Sequence, residues 1–86
     1  MKTRIEILLY PDGFLVILSF NTKKGTKKKA DEIRKAVMAD LIVRGHVIKT
    51  SEVEWNKCEG VYYFKVVPRE ERPQLLEDLK QALSKL

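Results

Sequence analysis

The 86-residue chain has a single cysteine, Cys58, and a single histidine, His46, which removes two kinds of chemistry at once. No internal disulfide can form, and one Cys with one His cannot build a structural zinc site. A lone thiol agrees with a reducing compartment. No apolar run approaches the ~18 residues that cross a bilayer. The opening Met1-Lys2-Thr3-Arg4 resembles the start of a secretory signal, but Glu6 and the turn at Pro11-Asp12-Gly13 interrupt the apolar stretch and no small-residue cleavage site follows. The expectation is a cytoplasmic protein with no membrane partner. Glycine (four) and proline (three) are too sparse for a low-complexity segment or linker, so residues 1–86 read as one domain. Asparagine, glutamine and cysteine are scarce beside abundant lysine and glutamate, a thermophile-like balance.

What is present is enough to fold: 44% hydrophobic and 34% charged residues describe a globular chain, and this length buries about 60% of its extended surface, one core's worth. The charge is unevenly placed. Lysine and arginine number 17 against 12 acids, and five of the bases, Lys23, Lys24, Lys27, Lys28 and Lys29, fall within seven residues containing no acid. The remaining twelve bases match the twelve acids, so the net +5 resides in this one stretch.

Periodicity predicts ββαββα. Residues 3–10 and 14–20 flank Pro11-Asp12-Gly13, where Pro presets the turn and Gly accepts a positive φ, and a three-residue loop sets Tyr10 opposite Phe14. Apolar residues then line both faces of the hairpin. Ala30, Ile33, Val37 and Leu41 recur at helical spacing, with Thr26 as the expected N-cap and Gly45 as a left-handed stop after Arg44. His46 to Trp55 alternates as a strand, and 61–67 returns as its partner after a turn at 56–60. Pro68 ends that strand, and Glu70, Glu71 and Pro73 suit the first turn of a second helix, whose stripe includes Leu75, Leu79 and Leu83. The expected fold is α+β, a four-stranded antiparallel sheet with two helices on one face; a β-grasp with an extra C-terminal helix is the alternative. Helices on one face leave the other face of the first hairpin bare. Tyr10, Phe14, Val16, Leu18 and Phe20 are the residues expected there, buried against a second copy unless one helix covers each face.

The lysines conflict with their own helix. Lys27, Lys28 and Lys29 occupy a first turn, where the macrodipole is positive and each cation costs roughly 0.3–1 kcal/mol at low salt. Free N–H groups ringed by ammonium charge make a phosphate site, and departures from local consistency collect at functional positions. The loop is not a nucleotide-binding P-loop, since Lys24-Gly25-Thr26-Lys27 has no earlier glycine. The expected function is a basic protein that binds DNA or RNA through phosphates, largely without sequence preference, using Lys23, Lys24, Thr26, Lys27, Lys28 and Lys29, extended by Arg34 and Lys35 along the helix. Tyr63, beside Lys65 on the face away from the core, is a candidate for base stacking, while Tyr62, Phe64 and Trp55 read as core. Glu52 and Glu54 share a strand face, yet no nucleophile–base pair, cofactor loop or metal set accompanies them, so neither enzyme activity nor a cofactor is expected. The alternative is a homodimeric interaction or assembly module in which the lysines serve solubility, or, less specifically, a solvated basic loop.

Overall fold

A computed structural model of the protein describes residues 3–20 and 26–85. Strands β1 (Thr3–Tyr10) and β2 (Gly13–Phe20) form the first hairpin, α1 (Thr26–Val43) follows, then β3 (Ile48–Thr50), β4 (Glu54–Asn56), β5 (Val61–Pro68) and α2 (Leu75–Ser84). The sheet is antiparallel throughout, ordered β1-β2-β5-β3, with β4 also on β5. It has five strands where four were expected, because the strand predicted over His46 to Trp55 is broken in two. Thr50 opposes Val66 and Glu54 opposes Tyr63, so three residues, Ser51 to Val53, stand against two. This is a β-bulge. Ser51 closes it: its N–H donates to the Lys65 carbonyl at 3.0 Å, and the Lys65 N–H donates to Ser51 Oγ at 2.8 Å. The extra residue reverses the side-chain parity, so Ile48 points inward before the bulge and Val53 after it, both buried.

The first hairpin differs from its expected register by one residue. Tyr10 pairs with Gly13, leaving Pro11 and Asp12 as a two-residue turn. Gly13 does not have the positive φ its place after Pro-Asp suggested; among the described residues only Gly45 and Gly60 do. It is required for close approach instead, since a Cβ there would lie 2.2 Å from the Val66 carbonyl oxygen. A one-residue change in register moves every side chain of one strand to the other face relative to its partner. Leu9, Ile7 and Ile5 therefore accompany Phe14, Val16 and Leu18, and the helices cover that face except at its turn end, where Leu9 is 71% exposed.

Both helices pack on this face. Val16 and Leu18 of β2 and Phe64 and Val66 of β5 are fully buried against Ala30, Ile33, Val37 and Leu41 of α1 and Leu75, Leu79, Ala82 and Leu83 of α2. The α1 stripe is the one its spacing predicts. Its end is a Schellman turn: the Gly45 N–H donates to Ile42 and the His46 N–H to Leu41, with Gly45 at φ 92°. The second helix starts later than expected, at Leu75, so Glu70, Glu71 and Pro73 precede it and Glu77 and Asp78 supply its acidic first turn.

The exposed-face expectation is thus corrected in its members. Val16 and Leu18 lie in the core, with Phe14 and Phe20 packed against it, and Tyr10 alone of the five belongs to the bare face. The physical cause is the docking of the helices, which selected the opposite face of β2.

Candidate nucleic-acid interface

The site begins with α1. Thr26 opens the helix on its inward stripe, four residues before Ala30, and is buried. Its hydroxyl donates to the Tyr62 phenol oxygen at 3.0 Å. This corrects the assignment of Thr26 to a phosphate-binding surface: it anchors the first turn to β5. Helical geometry then turns Lys27, Lys28 and Lys29 away from the core at about 100° intervals. All three are exposed, and among the described residues no acid pairs with any of them. The first turn of α1 contains no acidic residue. Three successive positions at that interval span about 200° of the helix surface. Lys23 and Lys24 lie outside the described residues.

Farther along α1 the expected basic surface contracts. Arg34 donates from Nε and Nη2 to Asp31 Oδ1 at 3.1 and 2.9 Å and from Nη1 to Thr50 Oγ1 at 3.0 Å, so its guanidinium is folded against β3 and largely covered. This is a second correction, made by an acid one helical turn earlier and a strand the sequence does not show beside it. Lys35 remains exposed, with Nζ 3.2 Å from Asp31 Oδ2. The hydrogen bond from Arg34, then that from Lys35, holds the Asp31 carboxyl below its ordinary range.

The same end of the molecule carries an aromatic group that periodicity placed in the core. Trp55 is 51% exposed. Its ring lies 4.7 Å from that of Tyr62, at 47° to it, and Phe20 lies 6.1 Å from Tyr62 on the other side. Trp55 and Tyr62 are opposite each other across β4 and β5, so the indole continues the inner face past the edge of the helical cover. The hydrogen bond between Thr26 and Tyr62 brings the lysine turn and this indole together. No periodic signal could reveal that, because the bulge at Ser51 to Val53 decides which way Trp55 points.

Tyr63 does lie on the face away from the core, flanked across the strands by Ile17 and Glu54, with Glu6 beyond Ile17. Two carboxylates in that row oppose a phosphate. Glu52 and Glu54 assemble no metal site; among the described residues no group of three His, Cys, Asp or Glu side chains does. His46 is buried, with Nε2 2.6 Å from Asp78 Oδ2. Arg44, at the end of α1, bridges Asp40 at 2.9 Å to Asp78 at 3.3 Å and Gln81 at 2.9 Å on α2. Among the described residues no helix is long and apolar enough to cross a membrane.

No protein-family model, curated protein or solved structure matches this chain.

Proposed function

We propose that this protein binds nucleic acid at the start of α1, with Lys27, Lys28 and Lys29, together with Lys23, Lys24 and the more distal Lys35, on phosphates and with Trp55 as a platform for an unpaired base. What supports this reading is one observation: three ammonium groups with no acid partner among the described residues and a half-exposed indole share one end of the molecule, linked through Thr26 and Tyr62. A positive track beside an exposed aromatic suits single-stranded DNA or RNA, since every base has a face to stack and the backbone supplies a regular row of charge. Binding is sequence-tolerant and proceeds by counterion release, so log affinity falls with log salt, at a slope near −0.7 per phosphate neutralised on single strands and about −0.9 on duplex.

Fluorescence anisotropy against single-stranded DNA, single-stranded RNA and duplex DNA over a salt series tests this directly. The single strands should bind more tightly, and Lys27→Ala, Lys28→Ala and Lys29→Ala together should flatten the slope. Equal binding by parent and triple variant at every salt concentration would remove the site. The second reading, an assembly module without a nucleic-acid role, draws on the bare apolar face of the sheet, where Leu8 and Tyr10 are 43% and 45% exposed.

A further inference from the structure

The strand registers lay out the bare face as four rows running across the sheet. Tyr10, Gly13, Val67 and Lys49 form the first row, and Leu8, Leu15, Lys65 and Ser51 the second. Glu6, Ile17, Tyr63 and Glu54 form the third, and Arg4, Ser19, Val61 and Asn56 the last. With strands about 4.8 Å apart and same-face residues about 6.8 Å apart, this is roughly 500 Å². Its middle is apolar: Leu8, Leu15, Ile17 and Tyr63 surround Lys65, whose ammonium is 2.8 Å from Asp12 and 5.2 Å from the centre of the Tyr10 ring. Among the described residues Arg4, Glu6, Lys49 and Glu54 have no ion-pair partner.

We propose that a second copy of this chain covers this face, sheet on sheet, about a two-fold axis that lies in the interface and crosses the strands. Such an axis keeps each strand over its counterpart and reverses the rows. The second row then meets the partner's third, so Leu15 packs on the partner's Ile17, and Lys65 sits over the ring of the partner's Tyr63 with the partner's Glu54 beside it. The first row meets the partner's fourth, placing Tyr10 against the partner's Arg4. Each contact occurs twice, as an isologous interface requires. The other in-plane axis, along the strands, sets Glu6 over the partner's Glu54 and Lys65 over the partner's Leu15, opposing like charges where water is excluded. Charge therefore selects the crossing axis. The pair buries about 1,000 Å², the size at which specific interfaces begin, and sheets packed face to face keep their strands within about 30°. Both helical layers remain outside, so the interface neither uses nor blocks the lysine turn and stands independently of the nucleic-acid reading.

Light scattering and sedimentation of the full chain over a concentration series reaching millimolar should show a dimer. Leu8→Glu changes an already exposed side chain and sets a carboxylate over the partner's Glu6, so it should yield a folded monomer by circular dichroism. Lys65→Glu should also weaken association, at least tenfold, and adding Glu54→Lys should restore it by exchanging the signs across the axis. A parent that stays monomeric throughout the series overturns the proposal. So does a dimer that survives Leu8→Glu and Ile17→Glu but is lost in the β1 edge variant Ile7→Pro, which would place the contact at the open edge of the sheet.

Discussion

His46 Nε2 lies 2.6 Å from Asp78 Oδ2, and both residues are buried, so a hydrogen bond joins the exit of α1 to the first turn of α2. The bond from His46 lowers the Asp78 carboxyl below its ordinary range; burial opposes the shift and Arg44 adds to it. A carboxylate with a depressed folded pKa contributes stability that is fully present above its unfolded value and is lost as pH falls through the folded one. Urea midpoints measured from neutral pH down to about pH 2 should therefore fall most steeply in the acid range below the usual aspartate pKa of about 3.9. Asp78→Asn should be less stable at neutral pH and show a shallower acid limb. An unchanged limb would show that this pair does not govern the acid response.

Gly13 tests the hairpin register. Its missing Cβ leaves room for the Val66 carbonyl, and the nearest atoms are backbone, which cannot step aside as a side chain would. Gly13→Ala should cost roughly 1–3 kcal/mol, the range for overpacking, even though the backbone angle at Gly13 is open to any residue. Gly60→Ala, with open space around it, should cost only the strain of its positive φ of 67°. Chemical denaturation of the two variants separates a steric from a conformational demand.

The lysine turn should be stabilised by losing its charge. Replacing Lys27, Lys28 and Lys29 by Ala removes three cations from the positive end of α1, where each costs roughly 0.3–1 kcal/mol at low salt. The thermal midpoint should hold or rise in low-salt buffer, with the gain shrinking as salt is added. A marked fall would mean that these side chains make stabilising contacts and would weaken the case that they are held there for a polyanion.

Trp55 is the sole tryptophan, so its intrinsic fluorescence reports on the proposed stacking directly. Single-stranded oligonucleotide should quench it and duplex should quench it far less. Trp55→Ala should cost about 1–3 kcal/mol of single-strand affinity, the range for one base on an aromatic platform, with little change in salt slope. Quenching of equal depth by duplex would argue against an unpaired base on the indole.

Local chemistry was legible in the sequence wherever the signal is local. The α1 stripe from Ala30 to Leu41, its stop at Gly45 and the acid-free run at Lys27 to Lys29 all follow from spacing along one helix. The order of elements, and the placing of both helices on one face, followed from alternating hydrophobicity and turn residues. Tyr62 and Trp55, by contrast, read as core residues of equal standing until the bulge set one against the other at the margin of the helical layer.

By itself, then, the sequence determined which elements form and where the charge excess lies, because hydrophobic period, glycine stops and net charge are properties of neighbouring residues. Only the tertiary structure decided which face of the hairpin is buried, since both faces are apolar and the choice falls to the helices that dock on one of them. The same holds for partners distant along the chain: Thr26 with Tyr62, Arg34 with Thr50 and His46 with Asp78 are set by packing between elements, which no local pattern encodes.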